Sequence, residues 1–186
     1  MDKNEVLKWL ERRGSKRGDP KRVTRRQMDA WAAGFRNWGD CDTVCFKLFD
    51  QVPFAFEKAP RWAKSPREFV RRGGFVLMAC LALHDKAARD ASFLPFLRLI
   101  EKGATDERNF VAKGASWALR AIGGRSPALH KAGVATAERL AKAKDAARRS
   151  VGKDALRELT SPKLRARLAR RAAAAPATIR RGWTCR

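Results

Sequence analysis

The tightest constraint on this chain is an echo within itself. Arg67-Glu68-Phe69-Val70-Arg71-Arg72-Gly73 and Arg108-Asn109-Phe110-Val111-Ala112-Lys113-Gly114 match at five of seven positions, counting Arg with Lys, at an offset of 41 residues. A supersecondary unit of that length cannot bury its apolar face alone, so neighbouring copies must stack and share one continuous core. Breaks fall at Gly14 to Pro20, Gln51-Val52-Pro53, His84 to Asp90, Gly103 to Thr105 and Gly123 to Ser126, with almost no strand signal between them. Short helices joined by short turns, one pair per unit, follow from that spacing.

Helix starts recur along the same stretch. Thr24-Arg25-Arg26-Gln27 has the form of a capping box, in which hydroxyl and amide satisfy free backbone N–H groups. Ser65-Pro66-Arg67-Glu68 repeats the form with Pro66 in the first turn, where no N–H is needed, and Ser161-Pro162 opens another helix. The expected fold is an all-α, HEAT-like helical-repeat superhelix, a right-handed α-α solenoid. Second helices of successive pairs line its concave face, which puts Arg72 and Lys113 at equivalent positions on neighbouring helices. Four segments are expected: an isolated N-terminal helix over 1–13, a basic linker over 14–20, the repeat domain over 21–172, and a basic, disordered tail over 173–186.

Charge narrows the partners. Lys and Arg number 42 against 19 Asp and Glu, a net charge of +23 on 186 residues. Nucleic acid is the natural counterpart, because each neutralised phosphate releases counterions; a generally basic proteome is the bland alternative. The 45% hydrophobic content suffices for one core. The longest apolar run, Phe75 to Leu83, is far short of a bilayer span, and the amphipathic start lacks a signal core, so a cytoplasmic, nucleoid-associated protein is expected. Cys41, Cys45, Cys80 and Cys185 form no framework; with only His84 and His130 to help, buried free thiols are expected and no metal site.

Trp38-Gly39-Asp40-Cys41-Asp42 is the stretch richest in chemistry. On a helix, Trp38 and Asp42 share a face, an indole beside a carboxylate. Asp40 reads as part of a helix cap. Trp117 and Arg72 stand on the following repeat helices, so two indoles, an acid and a guanidinium converge if those helices line one face. Each tryptophan taken singly is more often a core residue than a site residue, because buried indoles dominate packing.

The chain resembles the AlkD-like alkylpurine DNA glycosylases, built from HEAT-like repeats. The likeness spans about Val23 to Arg167 and lies in Gln27-Met28-Asp29, Trp38 to Cys45, Glu68 to Leu77 and His84-Asp85-Lys86. It continues in Asp106 to Val111, Trp117 to Arg120 and Lys153 to Ser161. It implies that Trp38, Asp42, Arg72 and Trp117 are the catalytic set, and that Arg71, Arg108, Lys113 and Arg120 contact DNA. The implied reaction is hydrolysis of the N-glycosidic bond of cationic alkylated purines, of 3-methyladenine and 7-methylguanine type, in duplex DNA. A cationic purine needs little general-acid help, so the work lies in stabilising positive charge on the deoxyribose. Asp42 would supply the opposing charge and orient water, while Trp38 and Trp117 flank the sugar. Arg72 would hold a backbone phosphate. Most glycosylases flip the base out; this family's resemblance implies action on a lesion still in the duplex.

Two departures stand out. The family has further helical repeats between the first helix and Gln27-Met28-Asp29, where this chain has a seven-residue linker, which shortens the DNA track. Gly73-Gly74 stands where the family has Ala, at an expected cost of about 1 kcal/mol each within a helix. The expected protein is a monomeric, cofactor-free DNA repair glycosylase with duplex DNA containing alkylated bases as partner and no obligate protein partner. The competing readings are a non-catalytic binder of damaged or branched DNA and an α-solenoid interaction scaffold.

Overall fold

The computed structural model describes residues 20–174. Nine α-helices follow a 3-10 turn at Pro20–Arg22: α1 (Arg25–Ala33), α2 (Trp38–Lys47), α3 (Ala55–Trp62), α4 (Glu68–His84), α5 (Leu94–Gly103), α6 (Asn109–Gly123), α7 (Pro127–Ala141), α8 (Ala146–Leu159) and α9 (Pro162–Ala174). Further 3-10 turns at Phe49–Gln51 and Asp90–Phe93 sit between helices. The described residues contain no strand, so the all-α, HEAT-like repeat architecture stands. The expected helix over 1–13, nearly all of the 14–20 linker and most of the basic tail lie outside the described residues. None of the described helices is long and apolar enough to cross a membrane.

Helices pair within each repeat, α3 on α4, α5 on α6 and α7 on α8. The second helices also pack on one another in the order α2, α4, α6, α8, and α5 packs on α7 in the first-helix row. The core runs between the rows and is filled by Phe49, Phe75, Leu77, Met78, Phe93, Ile100, Leu119 and Ile122, all essentially buried. Helix α4 is the keystone. It is apolar nearly all round, with every residue from Arg72 to Ala82 buried, because it touches α2, α3 and α6 together.

Local chemistry sets the helix ends. The Thr24 box forms as expected, its hydroxyl accepting from the Gln27 N–H at 3.2 Å while Gln27 Oε1 accepts from the Thr24 N–H at 3.0 Å. The Ser65 box does not form. Pro66 forces the preceding backbone away from the helical region, α4 starts only at Glu68 with Arg67 as its cap, and Ser65 Oγ accepts from the Arg67 N–H at 3.2 Å as a local turn.

Gly74 is a requirement and not a weakness. A Cβ there would lie 2.2 Å from the Ala63 nitrogen and 2.8 Å from the Ala59 carbonyl oxygen, so α3 and α4 cross at a separation that only glycine permits. Gly152 does the same for α7 and α8, 2.3 Å from the Ala141 nitrogen. A Cβ on Gly73 would instead meet the Phe35 ring at 3.1 Å. The expected propensity cost is therefore offset by close helix packing.

Candidate active site

Helix α2 begins at Trp38 because Asn37 caps it, accepting from the Asp40 N–H at 2.9 Å and donating its amide to Asp40 Oδ2 at 3.0 Å. Asp40 is thereby absorbed in the helix start, as its position suggested. Cys41, Val44 and Cys45 then face the core, all at or below 5% exposure. On the neighbouring stripe, Trp38 and Phe46 are left to solvent with the partly buried Asp42 between them. Trp38 is 56% exposed and Phe46 37%, unusual for large aromatics outside the core.

Asp42 does not hang free on that stripe. Arg72, from the next second-layer helix, grips it with two parallel bonds, Nε to Oδ1 at 2.9 Å and Nη2 to Oδ2 at 2.7 Å. The third guanidinium nitrogen, Nη1, donates to the Phe110 carbonyl on α6 at 2.7 Å. One side chain thus ties three consecutive second-layer helices together. Burial disfavours the charge on Arg72, but the bonds and charge of Asp42 outweigh it and raise its pKa above the ordinary value. The Cys41 thiol lies 3.1 Å from Oδ1 and 3.5 Å from the Trp38 carbonyl. That thiol is held protonated first by burial and then by the Asp42 charge.

These partners nearly exhaust the carboxylate. An ionised carboxylate has about four lone-pair sites. Oδ1 accepts from Arg72 and from the thiol, whereas Oδ2 accepts only from Arg72. One acceptor site on Oδ2 remains, on a side chain that is 20% exposed. The arrangement presents a single, rigidly aimed anionic lone pair beside an open indole.

Arg72, expected to hold a phosphate, is instead engaged within the fold. Its side chain is 8% exposed, and its donors are directed into the fold. Arg71 and Arg108 are likewise committed, both to Asp106, at 3.2 and 2.6 Å. Arg108 also donates to the Pro66 carbonyl at 2.8 Å. Asp106 is almost fully buried, and its carboxyl is held below its ordinary value chiefly by the hydrogen bonds from Arg108. Arg120 pairs with Glu158 at 2.6 Å and approaches Asp154 at 3.8 Å, bridging α6 to α8. Three of the four expected DNA contacts therefore join repeats to one another.

Lys113 is different, being exposed and in no ion pair among the described residues. It lines a groove of about 630 Å³ between α6 and α8, together with Asn109, Ser150, Lys153, Asp154 and Arg157, the last two paired at 2.6 Å on an exposed edge. Lys153 and Arg157 fall in the Lys153 to Ser161 block but were not singled out from sequence as DNA contacts. Their signal was the cation pair one turn apart, 40 and 44 residues after Lys113, in a repeat too diverged to align by eye. Trp117 is half-buried against the core. It shares the α6 stripe of Phe110, whose carbonyl takes Arg72, and of Gly114, where a Cβ would lie 3.4 Å from Arg72 Cγ. Trp117 thus lies about two turns beyond the Phe110 carbonyl that takes Arg72.

Two stacked rows of helices, with an acid clamped between neighbouring repeats beside an exposed indole, define an α-helical repeat protein with a candidate catalytic face. A family model described as DNA alkylation repair enzyme matches residues 5–173. The chain belongs to that family. A solved structure, described as from a new family of proteins related to the HEAT-like repeat DNA glycosylases with affinity for branched DNA structures, superimposes with a TM-score of 0.61. The two are 18% identical over 82% of this chain and 74% of the other, which is a likeness of fold. Among curated proteins, none matches the chain.

Proposed function

We propose that this protein binds duplex DNA along its second-helix layer and hydrolyses the N-glycosidic bond of cationic alkylated purines, with Asp42 as the catalytic carboxylate. The observation that carries the reading is the clamp on Asp42. An acid on a cationic, DNA-facing surface lowers affinity for phosphate, so its retention calls for another task. Bidentate pinning by Arg72 leaves it rigid and pointed, which is what electrostatic stabilisation of a developing oxocarbenium requires. The spare acceptor on Oδ2 is positioned to take a proton from attacking water. Trp38, open on the same stripe, offers a π face to the cationic sugar, and Trp117 a second surface from α6. Lys113, Lys153 and Arg157 supply the phosphate contacts.

The alternative is a non-catalytic binder of damaged or branched DNA, which the structural neighbour's described affinity favours. Incubation with duplex DNA containing 7-methylguanine, followed by measurement of free base, separates the two. Wild type is expected to release base, and Asp42→Asn to release it on the order of 100-fold more slowly while binding the duplex at least as well. Tight binding without release by the wild type establishes the alternative.

A further inference from the structure

The His84-Asp85-Lys86 segment takes no part in the clamp, yet it carries a second built cluster. Asp50, in the 3-10 turn after α2, has a side chain only 1% exposed. Its Oδ2 bonds His84 Nδ1, and its Oδ1 has no partner although it is shielded from solvent. Burial pushes the Asp50 carboxyl above its ordinary value, and His84 pulls partly back. A buried carboxylate so poorly satisfied calls for a reason to be there.

His84 ends α4 and keeps a third of its surface open, with a side-chain exposure of 37%. Its ring stands edge-on to Phe46 at 4.4 Å between centroids, and Lys47 Nζ lies 5.7 Å from the same Phe46 ring. Phe46, Lys47, Gln51, Asp50 and His84 line an open pocket of about 280 Å³. Phe46 also belongs to the Trp38–Asp42 stripe of α2, one turn and about 6 Å further along, or nearly two nucleotide rises of a duplex.

We propose that His84, braced at Nδ1 by Asp50 and presented beside Lys47 and Phe46, binds a phosphodiester of the strand that passes Asp42, and does so by taking up a proton. This rests on the duplex-binding reading above. With Nδ1 turned to a carboxylate, Nε2 is the nitrogen left for the pocket. In the neutral ring Nε2 is a lone pair that repels phosphate; in the imidazolium it is a charged donor. The other ionisable groups facing the ring do not compete for that proton. Lys47 from α2 adds positive charge to the pocket. On α4, the Cys80 thiol is kept protonated by burial, and Asp85 is engaged by the Ala87 and Ala88 N–H groups. Lys86 turns away to the Leu83 carbonyl.

The test is the affinity of the full chain for an undamaged duplex, measured by fluorescence anisotropy at constant ionic strength from about pH 5.5 to about pH 8.5, across the ordinary imidazole range. Wild type is expected to tighten as pH falls, by up to about tenfold per unit where one proton is taken up. His84→Gln is expected to lose that slope, weaker than wild type at the acid end and equal to it at the alkaline end. His130→Gln, whose ring meets the Gly123 carbonyl, leaves the slope unchanged. A slope retained in His84→Gln, or a loss of affinity equal at every pH, overturns the proposal. Should wild type bind no duplex at any pH, the DNA reading falls with it; binding with a slope independent of His84 sinks this assignment alone.

Discussion

Two junctions between repeats use nearly the same bond for different ends. At the α2–α4 junction, Asp42 and Arg72 meet at 2.7 Å with side chains 20% and 8% exposed. At the α6–α8 junction, Arg120 and Glu158 meet at 2.6 Å, but with exposures of 28% and 51%. Distance does not distinguish them; solvent does. In the first, water screens little, the geometry is fork on fork, and neither partner can leave without stranding the other. In the second, water screens both charges and each side chain has an alternative in solution. The lesson is that the inter-repeat bridge is a general device of this fold, and that burying one copy of it produces a fixed, directional carboxylate.

The comparison can be broken at its buried end first. Arg72→Ala leaves the Asp42 carboxylate half-buried and unpaired, removes the link to Phe110, and opens space along Gly114. We expect a stability loss of about 3 kcal/mol in urea unfolding, together with a fall in 7-methylguanine release as large as that of Asp42→Asn. An unchanged midpoint would contradict the stabilising role given to the buried pair.

An intermediate case lies between the two, at the α4–α6 junction. Asp106 is buried, but its partners Arg71 and Arg108 are 24% and 35% exposed. Its folded pKa lies below the ordinary 3.8. The sign follows: the carboxylate's contribution is fully present above the unfolded value and is lost as pH falls through the lower folded one. Asp106→Asn should cost about 1–2 kcal/mol at pH 7, discounted for the screening of its partners, and should flatten the acid limb of the stability curve below about pH 4. Equal acid sensitivity in variant and wild type contradicts that assignment.

The exposed end should respond least. Arg120→Ala is expected to shift stability by less than about 1 kcal/mol and to leave base release within about twofold of wild type. A tenfold loss of release there would move the DNA-contact role back to Arg120 and away from Lys113.

What the sequence made legible was periodic. The 41-residue echo, the break positions and the Thr24 box led to the right helices and the right stacking, since each depends on neighbours a few residues away or on a repeated spacing. Trp38 and Asp42 could be placed on one stripe for the same reason. What stayed hidden were the partners of charged groups. Arg72 reads as a phosphate ligand until α2 and α6 are seen to supply acceptors 30 and 38 residues distant. Lys58, to which no sequence pattern drew attention, is 2% exposed and bonded to Asp29 Oδ2 at 2.5 Å, while Trp62 donates to Oδ1 at 2.9 Å. That cluster explains the acid of the Gln27-Met28-Asp29 block as a tie between α1 and α3. Gly74 was invisible for a related reason: propensity describes one helix, and the constraint lies in a second.

The central claim is that Arg72 acts on the reaction only through Asp42. Single-turnover release of 7-methylguanine by wild type, Asp42→Asn, Arg72→Ala and the double variant tests it directly, with folding of each verified by thermal melting. The account predicts that the double variant is no slower than Asp42→Asn alone, because a clamp without its carboxylate has nothing left to aim. Rate losses that multiply would show that Arg72 meets the DNA in its own right and would contradict the account.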